Sequence, residues 1–222
     1  MKHIQKTKEP QSLTDLKVIA QKNQLKVTFD TLPANLIYDL VHALLYEQGA
    51  LCCYCQNEIS AETARLIPFI HSQDEILHYS NFFLSCNHSN HLPPEQQHCY
   101  IKKGVNMIPK FMSDIECHNL FRYNTLGEIL PSGTHRTVRK CKDNYDSLTP
   151  VQQSVLSAID VLNLNAERLK DLRKMILSQI TSNFKRNNKT HIQQAMEHYA
   201  KRDKTGKYTR FTEVIIYYLS IL

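Results

Sequence analysis

Four cysteines at defined spacing constrain this chain more than any other feature. Cys52 and Cys55 form a C-x-x-C pair, and Cys86 and Cys99 follow at longer intervals. Structural zinc sites take four ligands at tetrahedral corners, and a C-x-x-C turn places two thiolates on one side of the ion while nearby amides stabilise their charge. The spacing predicts a structural Zn2+ held by Cys52, Cys55, Cys86 and Cys99. Cys53 is expected to point away from the ion, with a register that uses it still open. His98 and His88 compete for a place in the second half of the ligand set. The twelve residues between Cys86 and Cys99 form a polar loop with adjacent prolines at Pro93 and Pro94. Closing such a loop is costly unless something clamps it.

The redox setting supports metal over disulfides. Residues 1–10 are charged and no apolar run of signal-peptide length follows them, so no export signal is expected and the cytoplasm is the expected compartment. Seven cysteines in such a chain favour metal or redox chemistry. Cys117 and Cys141 are isolated and read as buried thiols. The apolar stretch 214–222 is far shorter than the roughly 20 residues that span a bilayer, so it reads as a terminal helix docked on the core and no membrane partner is expected. A formal charge of +6 is compatible with a polyanionic partner without requiring one.

The hydrophobic fraction of 42% and charged fraction of 22% indicate that most of the chain folds. Residues 1–34 read as an N-terminal arm with a short helix. From Asn35, the residues Leu36, Leu40, Ala43, Leu44 and Tyr46 recur near helical spacing, and Gly49 stops the helix just before Cys52. Leu66, Ile67, Phe69 and Ile70 suggest a short buried strand. Residues 35–110 therefore form a zinc-stapled module, and 111–222 a mostly helical region packed on it. Within the latter, Asn124 to Gly127 supply turn residues for a hairpin. Thr149-Pro150 opens a helix, and a second helical pattern follows a break at Asn163 to Asn165. The expected class is mainly α with a small ββα-metal module, α+β overall.

The residues around the cysteines resemble a known family. The segment from Glu47 to Cys55, a helix running into Cys52-Cys53-Tyr54-Cys55, resembles the entry to a zinc-stapled HNH module. Asn81, in His78-Tyr79-Ser80-Asn81-Phe82-Phe83-Leu84-Ser85-Cys86, resembles the middle asparagine of the HNH pattern. His98-Cys99-Tyr100-Ile101-Lys102-Lys103-Gly104 is similar to the closing element of that module. Outside it, Met1-Lys2-His3-Ile4 with Glu9-Pro10, and Leu162-Asn163-Leu164-Asn165 with Leu169 and Arg173, resemble the ends of the retron- and Septu-associated PtuB-like family. The resemblance spans positions 1 to about 175. It implies an HNH endonuclease that cleaves DNA in antiphage defence beside a PtuA-like ATPase, with a catalytic Mg2+ or Mn2+ in a ββα fold and Asn81 orienting a general-base histidine.

The sequence departs from this pattern where the chemistry lies. The family's first strand carries its histidine three positions before a proline, and here Arg65 stands in that place before Pro68. A guanidinium stays protonated and cannot act as a base. Tyr100 occupies the position where the family offers an acidic or imidazole metal ligand. His71 is the candidate substitute base. Arg65, Lys102 and Lys103 are candidate phosphate contacts, with Arg136, Arg139 and Lys140 a second basic cluster. Two expectations follow: an endonuclease working through an unfamiliar base, or a degenerate HNH-fold subunit that binds DNA or its ATPase partner without cutting.

Overall fold

The computed structural model describes residues 1–72, 74–184 and 188–222. It is a mixed α+β fold in which helices surround two small antiparallel sheets, each of two strands. The N-terminal segment, expected as an arm, is built into the core. Met1, Ile4 and Leu13 are buried, and the Ile4 amide donates to the Met112 carbonyl at 2.8 Å. Helix α1 (Gln11–Asn23) lies against α2 (Ala34–Glu47). Lys6 ties the segment down by donating to the Phe82 carbonyl at 2.6 Å and pairing with the buried Glu47 carboxylate at 3.3 Å. Glu47 also accepts from the amide and hydroxyl of Thr7, each at 2.7 Å.

In α2, Leu36, Leu40 and Leu44 recur every fourth residue and are buried, which lays one stripe of the helix on the core. The helix ends at Gly49, whose φ of +57° is costly for residues with a side chain. A Cβ there would also lie 2.3 Å from the Tyr208 ring. The chain thus turns sharply into the cysteine pair. Strands β1 (Ala64–Pro68) and β2 (Phe82–Cys86) pair in register from Ala64 opposite Cys86 to Pro68 opposite Phe82. A single helical turn, α3 (Tyr100–Lys103), follows Cys99. Gln48 welds α2 to this hairpin. Its side-chain amide donates to the Leu51 and Leu84 carbonyls and accepts from the Leu84 amide at 2.7 Å, extending the pairing beside β2.

The second sheet pairs β3 (Phe121–Tyr123) with β4 (Ile129–Pro131), closed by a turn in which Asn124 accepts from the Leu126 and Glu128 amides. Gly127 permits close approach, because a Cβ there would lie 2.3 Å from the Lys170 carbonyl oxygen. A short helix α4 (Val138–Asp143) leads to α5 (Pro150–Val161), which opens with a reciprocal capping box between Thr149 and Gln152. Helix α6 (Glu167–Asn183) follows the Leu162 to Asn165 break, and α7 (Lys189–Ala200) packs on α8 (Thr212–Ser220). Val214, Ile215, Tyr218 and Leu219 bury the last helix against the core. No described helix is long and apolar enough to cross a membrane.

Candidate metal centre and adjoining groove

Three segments converge on one point. The turn after α2 supplies Cys52 and Cys55, the last residue of β2 is Cys86, and Cys99 immediately precedes α3. Their sulfurs all lie within 4.8 Å of one another, and all four residues are buried. Cys52 and Cys99 are 3.8 Å apart and Cys55 and Cys86 3.7 Å. Four sulfurs placed about 2.3 Å from a central zinc-sized ion define a tetrahedron with edges of about 3.8 Å. A disulfide would need about 2.05 Å, and all seven cysteines are free thiols. The cluster therefore fits one tetrahedral metal ion.

Electrostatics give the same answer. Burial opposes ionisation at Cys52, yet neighbouring thiols, beginning with Cys53, hydrogen-bond to its sulfur strongly enough to hold it well below the usual thiol range. Cys99 is pushed well above that range by burial and Cys86 by the thiolate at Cys52. A buried pocket of this kind carries one thiolate readily and four only around a cation. The Cys86 amide donates to the Cys52 sulfur at 3.2 Å, adding a backbone partner to the ligand cage.

Cys53 stands outside the cluster, and its amide donates to the Leu84 carbonyl at 3.0 Å. His98 borders the sulfurs, with Nδ1 3.3 Å from Cys99 and 3.8 Å from Cys86, and burial pushes its pKa down to about 4. His88 faces Asn57 instead. The polar loop between Cys86 and Cys99 is clamped from the break between α5 and α6. The Asn163 side chain donates to the Glu95 and Gln97 carbonyls at 3.0 and 2.8 Å, and the Cys99 amide donates to the Leu162 carbonyl at 2.8 Å. Ser89 closes the loop across its ends, accepting from the His98 amide at 3.0 Å. Asn165 brackets Ile129 in the same way, and buried Arg173 donates to the carbonyls of Gly127 and Leu164. Burial pushes that guanidinium down to about 10, which leaves it cationic near the cysteine cluster.

A groove of about 610 Å³ adjoins the centre, lined by Arg65, Ile70, His71, Tyr100, Ile101, Gly104, Val105 and Met107. It brings together the two departures from the HNH pattern and the candidate substitute base. The Tyr100 hydroxyl is 3.2 Å from His71 Nε2, and the Arg65 guanidinium lies 5.3 Å from the centre of the Tyr100 ring. Asn81 is fully buried below. It accepts from the Ile70 amide at 2.8 Å and donates to the carbonyls of Ile70 and Glu75, so it holds the loop that carries His71 without reaching the groove itself. No carboxylate lines the groove among the described residues. One imidazole and one phenol form a poor donor set for Mg2+ or Mn2+, which require several oxygen ligands.

The basic residues fall into exposed and buried sets. Arg65 and Lys102 are exposed, the latter donating to the Pro94 carbonyl at 3.0 Å. Lys103, expected on the phosphate-binding surface, is only 1% exposed and lies over the rings of Phe69 and Tyr100; the structure removes it from that surface. Its spacing along a four-residue helix turns it inward beside the apolar hairpin. Arg202 likewise caps the end of α2 by donating to the carbonyls of Tyr46 and Glu47. The sequence matches no protein-family model, and no curated protein is similar to it.

Proposed function

We propose that the chain is a zinc-stapled HNH-type DNA endonuclease subunit that works with a PtuA-like ATPase in antiphage defence. The zinc assignment is supported by ligand chemistry: four thiolates at tetrahedral spacing match the preference of Zn2+ for closed sulfur cages. The HNH reading is supported by the order of antiparallel hairpin and helical turn around that cage, and the ATPase and defence role by the resemblance at residues 1–10 and 162–173. The observation that carries the nuclease reading is the convergence of Arg65, His71 and Tyr100 in one open groove beside the staple. A cation to receive a phosphate and an imidazole to accept a proton are the minimum for phosphodiester chemistry.

A second reading is favoured by Arg65 itself, which stands where the family's base is expected. In that reading the subunit binds DNA without cutting it. Supercoiled plasmid nicking separates the two, assayed with the ATPase present and with Mg2+, Mn2+ or chelator in turn. Nicking that falls in His71→Ala supports the endonuclease; retention of DNA without nicking under any of these conditions supports the binding subunit. In either case Arg65→Glu should lower the slope of log affinity against log salt by about one phosphate contact. An unchanged slope would remove Arg65 from the interface.

A further inference from the structure

The groove contains one side chain that can be both nucleophile and anchor, and we infer that Tyr100 attacks the DNA backbone directly and forms a phosphotyrosyl intermediate. The inference rests on the nuclease reading above and specifies its chemistry. A protein nucleophile is recognised by a base within hydrogen-bond reach and a cation placed for the developing charge. Tyr100 meets the first condition through His71 Nε2 at 3.2 Å and the second through Arg65, stacked 5.3 Å from its ring centre. The absence of carboxylates from the described groove lining removes the usual means of fixing a water on a hard metal ion, and leaves the phenol as the available attacking oxygen.

Geometry fixes this phenol firmly. Its residue follows Cys99, whose own φ is +61° and whose amide is held by Leu162, and the Tyr100 amide donates to the Ser85 hydroxyl at 3.3 Å. The metal cage and β2 thus orient the nucleophile from below, while Asn81 orients the loop of its base. Val105 and Met107, 92% and 64% exposed, give the groove an apolar edge suited to sugar or base faces of a nucleic acid strand.

The step balances without any redox partner. The Tyr100 hydroxyl proton passes to His71 Nε2 as the phenolic oxygen bonds to phosphorus. The P–O bond to one deoxyribose breaks, and the departing alkoxide takes a proton from water. Arg65 carries the extra negative charge on the non-bridging oxygens during transfer. The linkage is later released when water, or the freed hydroxyl, attacks phosphorus: the P–O bond to Tyr100 breaks, the departing phenolate takes back the proton held on His71, and the proton of the attacking group passes to solvent.

The test uses full-length protein with its ATPase and end-labelled duplexes carrying a bridging phosphorothiolate on the 3′ or the 5′ side of the linkage. The departing thiol returns poorly, so a covalent adduct accumulates. Wild type should retain label through denaturing electrophoresis. Tyr100→Phe should lose the adduct, with nicking reduced on the order of a hundredfold or more. Unchanged metal content and melting temperature of Tyr100→Phe serve as the folding control, and the phenylalanine keeps the ring on which Arg65 stacks. Nicking that persists in Tyr100→Phe with no adduct in wild type overturns the nucleophile while leaving the endonuclease standing. DNA retention with neither nicking nor adduct overturns both.

Discussion

Cys99 and Tyr100 are neighbours in the chain, yet they belong to regions governed by different constraints. Cys99 is fully buried in a closed cage whose four members must meet at one point. Tyr100 opens into a groove whose lining residues face an open cavity of about 610 Å³. The four sulfurs of the cage are fixed by the one point they share, whereas Arg65, His71 and Tyr100 are fixed only by the segments that carry them to the groove. A closed cage can therefore hold a fold under strict geometric control while the surface beside it stays free to present other side chains. Asn81, although next to the groove, has its side chain satisfied by backbone groups and belongs with the scaffold.

The sharpest way to break this division is to substitute within the cage. Cys86→Ser should lose the metal and destabilise the fold by more than about 4 kcal/mol, whereas Cys53→Ser should keep the metal. Denaturant unfolding with metal analysis reads both; equal losses would return Cys53 to the ligand set. Asn81→Ala comes next, because it strands the amide and carbonyl of Ile70 and the carbonyl of Glu75. A cost of roughly 3 kcal/mol is expected, together with reduced nicking and an unchanged metal content. Metal loss in this variant would mean that cage and groove are one unit.

Lys6 tests the packing of the N-terminal segment. Burial pushes its ammonium down to about 8 from an ordinary 10.5, against the opposing pull of Glu47. The folded chain therefore gives up this proton first. Below pH 8 the penalty for burying the charge is fully present, and between pH 8 and 10.5 the unfolded state holds more protons, so the group's contribution to stability rises with pH. Measured against Lys6→Met, wild-type stability should climb by ~2 kcal/mol across that window, after allowance for partial exposure. A flat difference would place the ammonium in water. The smallest effect is expected for Asn163→Ala, about 1 kcal/mol from release of the Glu95 and Gln97 carbonyls, with faster metal transfer to a chelator. Unaltered transfer would show that the loop needs no clamp.

Local signals in the sequence carried far. The C-x-x-C spacing pointed to the cage, the Leu36, Leu40, Leu44 stripe to α2, the Leu66-Ile67 run to β1, and Thr149-Pro150 to the start of α5. What stayed hidden depends on partners distant in sequence. Nothing local marks Gln48 as the link to Leu84, Arg202 as a cap for α2, or Lys103 as buried beneath Tyr100. The Leu-Asn-Leu-Asn run was visible as a motif, but its mechanism was not. Its leucines are buried, while Asn163 and Asn165 reach backbone groups 66 and 36 residues away. In the groove, sequence named Arg65, His71 and Tyr100 separately; only the folding of the hairpin against α3 brings them within contact of one another.

The cage holds this fold together, and elemental analysis of the purified full-length chain tests that most directly. One zinc per chain, with cooperative unfolding on its removal by a chelator and recovery on its return, is the result predicted. A folded, metal-free chain with the same melting temperature would contradict it.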